Sequence, residues 1–147
     1  MENTLEKSPK SSSKSTVDKE PKNEDSTYLT QMLRKRPSNK LLNNVITHAQ
    51  KLEASKNVDN MAVGQHYIAA AKIAQKLGDQ SKADAYMDKA IKYISKELYK
   101  QAVKMANALK SLGAKEVTVG VTVLGIEVSV TFEVSTIIVT KPQPTEN

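Results

Sequence analysis

The sequence has no cysteine, no tryptophan and only two histidines among its 147 residues. Without cysteine the chain can form no disulfide and offers neither a thiolate metal ligand nor a cysteine nucleophile. Two histidines and five glycines are little material for a metal cluster or a glycine-rich phosphate loop. Aromatic residues make up only 4% of the chain, so large apolar side chains are few. These shortages favour a small non-enzymatic protein without a cofactor.

Both ends of the chain are polar. Residues 1–26 contain no aromatic side chain, and their five lysines face six acidic residues. Such a segment buries too little apolar surface to offset its ordering entropy, so we predict a disordered tail. It has no apolar run of the length that a signal peptide needs, which predicts a cytoplasmic or virion-associated protein. Residues 141–147 read as a second polar tail.

Residues 27–115 read as a helical domain. The apolar residues recur at spacings of three and four, which is typical of one face of a helix. We expect a short helix ending before Pro37, and three longer ones over residues 38–55, 59–77 and 81–112. Ser38 and Asp59 are suitable N-caps, and Gly78 and Gly113 are suitable helix stops. Many of the inward positions are alanine, which predicts close helix packing.

Residues 62–95 resemble one tetratricopeptide repeat. Tyr67 stands at the position of the first-helix aromatic, Gly78-Asp79 occupies the turn, and Ala83, Met87 and Ala90 match the second helix. The segment departs from the family at Ala70, Ala71, Ala74 and Ser95, and no second copy follows at that period. The resemblance implies a single helical hairpin that binds a partner peptide. A generic pair of antiparallel helices gives the same pattern.

From Glu116 the apolar period changes from about 3.6 to 2. Valines alternate with polar residues on both sides of Leu124-Gly125, which predicts an antiparallel β-hairpin with a tight turn. We expect Thr136–Thr140 to extend the second strand or to form a third, so that residues 116–140 make a hairpin or meander. A membrane-spanning helix is disfavoured because it would bury Glu127 and Glu133. The assembly interface predicted for the apolar face consists of Ile126, Val128, Val130, Phe132 and Val134.

The positive charge is concentrated in the helical domain. Residues 27–58 hold six basic residues against one acid, residues 59–115 hold ten against five, and residues 116–147 hold one against four. Two clusters could neutralise phosphates without reading bases: one around the predicted turn before residue 38, and one at helical spacing on the long helix. Their members are Arg34, Lys35, Arg36, Lys40, Lys89, Lys92, Lys96, Lys100 and Lys104.

The lysines of the long helix have other interpretations as well. An amphipathic helix needs a solvated face, and lysine is a good helix former. The same lysines could also meet an acidic protein partner, the acidic sheet of a second copy, or anionic lipid. No helix-turn-helix or zinc-finger pattern accompanies them.

His48 and His66 each fall on or beside an apolar stripe. They are expected to be core or boundary residues, since no motif links them to a nucleophile, a carboxylate or each other. No catalytic residues, no metal site and no cofactor are therefore predicted.

Together these features predict an α+β protein in which a helical bundle or hairpin with one long helix precedes a β-hairpin or meander. We expect a non-enzymatic assembly protein that self-associates through this hairpin, because a two-stranded hairpin alone is marginal in water. Small, cysteine-free assembly proteins with tails are common among phage or viral structural and accessory components, so that class is expected. A sequence-independent nucleic-acid binder and a peptide-binding adaptor are the alternatives.

Overall fold

A computed structural model of the chain describes residues 12–17 and 24–140. In chain order its elements are β1 (Ser12–Val17), α1 (Glu24–Arg34), α2 (Asn39–Glu53), α3 (Asn60–Lys76), α4 (Gln80–Ser111), β2 (Glu116–Val123), β3 (Ile126–Glu133) and α5 (Val134–Thr140). The predicted class is confirmed: the chain is α+β, with a long helix followed by an antiparallel β-hairpin.

The predicted N-caps form. The Ser38 side chain accepts a hydrogen bond from the backbone N–H of Leu41 at 3.0 Å, and Asp59 does the same for Ala62 at 3.0 Å. Each satisfies one of the amide groups that a first helical turn leaves without a partner. The two caps therefore set the starts of α2 and α3 within a residue of the predicted positions.

The turns lie at the residues where the sequence predicts them. Gly78 has a φ of 84° between α3 and α4, a left-handed conformation that favours glycine. Leu124 and Gly125 have φ values of 48° and 82°, so both central residues of the hairpin turn are left-handed. This is the pattern of a type I′ turn, whose twist matches that of the flanking strands.

Helix α3 is the central helix of the core. Every residue from 62 to 71 is buried, and α3 packs against both α1 and α2. It also approaches α4 closely: a Cβ added at Gly64 would collide with the Ile94 side chain and lie 3.4 Å from the Ala90 carbonyl oxygen. The small residues of the predicted hairpin therefore allow close packing, as the alanine content indicates.

The sheet has three strands in the order β1-β2-β3. Its central strand, β2, buries its apolar positions almost completely, and these are Val117, Val119, Val121 and Val123. Strand β1 pairs with β2 in parallel, with Ser12 opposite Glu116 and Val17 opposite Val121.

Two described elements fall within residues 1–26, for which the sequence predicts a disordered tail. Ser12–Val17 is a strand, and α1 begins at Glu24. The pairing of β1 uses backbone groups, which any sequence supplies, so it leaves little trace in a search for apolar patterns. The rest of the predicted N-terminal tail, and the whole of the C-terminal one, lie outside the described residues.

The prediction of a strand over residues 136–140 is wrong. Val134–Thr140 forms α5, in which Val134 and Ile137 are 2% and 1% exposed. These two residues are three apart, the spacing at which a helix buries one face. The Thr136 hydroxyl also donates to Glu133 Oε1 at 3.3 Å. The β-branched residues of this segment favour a strand, and packing overrides that preference.

The chain divides into two compact units. One contains β1, the residues Leu98–Val121 and the described chain from Ser129 onward. The other contains α1, α2, α3, the first part of α4 up to Glu97, and the hairpin tip Thr122–Val128. Within the described ranges, no helix has the length and apolarity to cross a bilayer.

Candidate functional site

Three polar side chains from α3 and α4 meet around Glu53, the last residue of α2. Tyr67 on α3 donates to Glu53 Oε1 at 2.6 Å, and Tyr93 on α4 donates to Glu53 Oε2 at 2.7 Å. Lys89, also on α4, lies 3.3 Å from Oε2 and donates to the Tyr67 hydroxyl at 3.2 Å. We call these four residues the Glu53 cluster. Both oxygens of its carboxylate accept hydrogen bonds.

Each tyrosine ring of this cluster lies beside a lysine of α4. The Lys89 ammonium lies 4.8 Å from the centre of the Tyr67 ring, and Lys96 lies 4.9 Å from the centre of the Tyr93 ring. Tyr67 in turn stacks on Tyr86, with ring centres 6.1 Å apart. Cation–π contacts of this kind are worth about 0.5–1 kcal/mol at exposed sites. They hold the two lysine side chains along the surface of α4.

Hydrogen bonding and burial shift the acid–base properties of the cluster. Burial acts to raise the pKa of Glu53, but hydrogen bonds from Tyr67, Tyr93 and Lys89 outweigh it and hold the pKa below its usual value. Burial and the bond to Glu53 raise the pKa of Tyr67, and the bond to Glu53 followed by burial raises that of Tyr93. The hydrogen bond to Tyr67 raises the pKa of Lys89, with Glu53 adding to it. At neutral pH the cluster thus holds one carboxylate, one ammonium and two neutral phenols.

The charges of the cluster are paired with each other, and its phenols bond to its carboxylate. Lys89 is 48% exposed at its side chain, whereas Glu53 is only 18% exposed. The cluster therefore ties α2 to α3 and α4, and it commits Lys89 to an internal partner rather than to an incoming phosphate.

The predicted basic residues fall in two places. Arg34, Lys35, Arg36 and Lys40 lie where α1 ends and α2 begins. Lys89, Lys92, Lys96, Lys100 and Lys104 are all exposed along α4, which is one unbroken helix. Of the α4 set, Lys89 belongs to the Glu53 cluster and Lys96 covers the Tyr93 ring.

The predicted assembly residues differ in exposure. Ile126, Val130 and Phe132 are partly exposed, and the Phe132 ring meets Tyr99 of α4 edge-on at 5.4 Å. Val128 is 7% exposed and therefore buried. Val134 is buried too and begins α5, which corrects its prediction as a strand residue. The side chains available at the surface of this set are thus those of Ile126, Val130 and Phe132.

The backbone of β3 shows which of its amide groups face outward. The Val134 N–H donates to the Lys115 carbonyl at 2.9 Å, and the Thr118 and Thr131 hydroxyls lie 2.7 Å apart. Both contacts fit one register, in which alternate residues of β3 bond to β2. The backbone groups of Ser129, Thr131 and Glu133 then point away from β2. No strand of the described chain pairs with β3 on that side.

The two histidines meet between α2 and α3. His48 Nδ1 lies 3.3 Å from His66 Nε2, and the rings are nearly perpendicular at 78°, with centres 4.6 Å apart. His66 is fully buried, and its Nδ1 lies 2.8 Å from the Ala62 carbonyl oxygen. The prediction of core or boundary positions describes their burial, but it did not anticipate that they touch.

The sequence gives only partial signals for the histidine pair and for the Glu53 cluster. His48 and His66 lie on the apolar stripes of consecutive predicted helices, and such stripes face each other in an antiparallel pair. Glu53 is the one acid in residues 27–58, so it stands alone among six cations. Its tyrosine partners are 14 and 40 residues away along the chain, and no local spacing connects them.

Comparison with known proteins finds no matching family model, no similar curated protein and no similar solved structure. The helical hairpin at residues 62–95 is present as α3 and the start of α4. Its resemblance to a tetratricopeptide repeat, and the peptide-binding role which that implies, rest on the sequence alone.

Proposed function

We propose that this chain is a non-enzymatic assembly protein that self-associates through the outer edge of β3. The observation that carries the proposal is the row of outward-facing backbone groups at Ser129, Thr131 and Glu133. Unpaired groups of this kind are a template for pairing with another strand. The partner we propose is a second copy of the chain, paired antiparallel through the same edge.

Two features support a second copy as the partner. A strand that pairs antiparallel with its own copy forms a two-fold interface, the commonest symmetry among oligomers. In the described sheet the outer edges are those of β1 and β3, and β3 is the one that carries the predicted assembly residues. A phage or viral structural or accessory component is one setting for such a protein, and this part of the proposal rests on composition.

Removing one outward N–H tests the proposal. We expect wild type to form dimers at high micromolar concentration in sedimentation velocity, and Ser129→Pro to weaken them. Proline there removes a group that β2 does not use, and edge strands tolerate it. A two-fold interface loses two hydrogen bonds, which at about 1 kcal/mol each weakens dimerisation about tenfold to a hundredfold.

Ser129→Ala is the matched control, because it changes the side chain and keeps the N–H. It should dimerise like wild type. A wild-type protein that stays monomeric at high micromolar concentration would contradict the proposal. Equal dimerisation of wild type and Ser129→Pro would show that another surface is used.

A second candidate function is sequence-independent binding of duplex nucleic acid. The observation that favours it is the continuity of α4, which carries Lys92, Lys96, Lys100 and Lys104 as exposed residues. At 1.5 Å per residue these lysines extend over about 18 Å, the scale of several backbone phosphates. Lys89 is the weakest member of the predicted set because Glu53 neutralises it.

Charge reversal on α4 tests this second function. Changing Lys92, Lys96 and Lys100 together to Glu should abolish duplex binding, measured by fluorescence anisotropy in 50 mM salt. The matched control reverses the exposed Lys51, Lys56 and Lys115, which gives the same net charge away from the predicted set. Binding should also weaken steeply with salt. Equal loss in both triple variants would indicate net charge rather than a site on α4.

A further inference from the structure

We propose that His48 and His66 form a binding site for a divalent transition-metal ion such as Zn²⁺. The ligand atoms would be Nδ1 of His48 and Nε2 of His66, which face each other at 3.3 Å between α2 and α3. Imidazole nitrogen is a preferred ligand of zinc, copper and nickel. The proposal is independent of the assembly and nucleic-acid functions, since it uses none of their residues.

The backbone prepares His66 for this role. Its Nδ1 is 2.8 Å from the Ala62 carbonyl oxygen, which can only accept, so Nδ1 carries the proton and donates. In the neutral ring Nε2 then carries its lone pair, which is directed at His48. Metal-ligating histidines almost always donate their second N–H in this manner, which fixes both tautomer and ring orientation. The buried member of the pair is thus already in its ligating form.

The separation of the two nitrogens suits a shared ion. Two nitrogens bound at about 2.0–2.1 Å to a tetrahedral ion are about 3.3–3.4 Å apart. The observed distance of 3.3 Å matches this separation. Without metal, the His48 Nδ1–H donates across the gap to His66 Nε2. An ion bound at Nδ1 of His48 would shift that proton to Nε2 of the same ring, so both imidazoles stay neutral.

An ion can reach the pair from the side of His48. This half-buried ring lines an open depression of about 340 Å³ together with Tyr28, Asn44, Thr47 and Lys51. No arrangement of three or more His, Asp or Glu side chains suited to a metal occurs in the described part of the chain. With two protein ligands, the remaining coordination positions would be filled by water. Lys51 lines the same space, and its positive charge opposes that of the ion.

Zinc titration of the tag-free full-length protein tests the site. We expect one saturable Zn²⁺ per chain by calorimetry, and a rise in the unfolding temperature with Zn²⁺. Loss of either nitrogen should weaken binding about tenfold or more, by analogy with the loss of supporting residues around metal sites. His48→Gln is the principal variant, because His48 is half-buried and glutamine is tolerated in helices. His66→Gln is the second.

Lys51→Ala separates this site from adventitious surface binding. It should tighten Zn²⁺ binding by removing the opposing charge, while leaving the stoichiometry at one. The proposal is overturned if wild type shows no saturable binding, or if His48→Gln binds Zn²⁺ as tightly as wild type. If His66→Gln does not fold, the comparison of Zn²⁺ binding between wild type and His48→Gln still tests the site.

Discussion

Tyr67 on α3 donates a hydrogen bond from its phenol to Oε1 of Glu53 on α2 at 2.6 Å. Tyr67 is only 1% exposed, so this bond is made inside the protein. The other carboxylate oxygen accepts from a second phenol, that of Tyr93 on α4. Hydrogen bonds to an ionised acceptor are shorter and stronger than those between neutral groups. One carboxylate at a helix end therefore joins three helices, and its contribution to stability can be measured.

Replacing the buried phenol should cost more than replacing the partly exposed one. Tyr67→Phe leaves the ring in place but removes a hydrogen bond to a charged group, which should lower the free energy of unfolding by about 1.5–3 kcal/mol. Tyr93→Phe should cost less, because water can reach Glu53 Oε2 when that hydroxyl is absent. Urea unfolding of both variants checks this. Equal losses would mean that burial does not set the strength of these bonds.

The Glu53 cluster should also make the free energy of unfolding depend on pH in the acid range. The pKa of Glu53 is lowered in the folded protein, so its contribution is present above the pKa that it has in the unfolded chain. That contribution is lost as the pH falls through the lowered value. Glu53→Gln should remove this contribution at all pH values. The difference in urea midpoint between wild type and Glu53→Gln should therefore narrow as the pH is lowered from neutral into the acid range. A constant difference would contradict the assignment.

The elements that the sequence predicted correctly depend on local signals. Ser38, Asp59 and Gly78 act within one turn of the helix that they begin or end, and the left-handed pair Leu124-Gly125 closes its own hairpin. Such signals need only a few neighbouring residues. The α+β class and the order of the elements from α1 to β3 could therefore be predicted from the sequence.

The features that the sequence did not predict depend on distant partners. Glu53 meets Tyr67 and Tyr93 only after α2, α3 and α4 have packed, so no spacing reveals the cluster. His48 and His66 are 18 residues apart and meet for the same reason. Helix α5 forms although its valines and isoleucines favour a strand. The burial of Val134 and Ile137 on one helical face outweighs that preference.

The two N-caps offer a direct comparison of equivalent interactions. Ser38→Ala and Asp59→Ala each remove one 3.0 Å hydrogen bond to a first-turn amide, and each should lower the free energy of unfolding by about 0.5–2 kcal/mol. Because a negative charge at a helix N-terminus interacts favourably with the helix dipole, the loss at Asp59 should be the more sensitive to salt. Urea unfolding in low and high salt measures both. A loss at Ser38 that varies with salt as much as that at Asp59 would contradict this explanation.

Gly64 should resist a substitution that normally stabilises helices. Alanine in place of glycine inside a helix usually gains about 0.5–1 kcal/mol. Here the new Cβ would collide with Ile94 and lie close to the Ala90 carbonyl, so Gly64→Ala should instead lower the free energy of unfolding by about 1–3 kcal/mol. Ile94→Ala removes the colliding atoms, so adding Gly64→Ala to that variant should cost much less than it does in wild type. A double-mutant cycle by urea unfolding measures this coupling, and additive losses would show that the two helices shift apart to admit the methyl group.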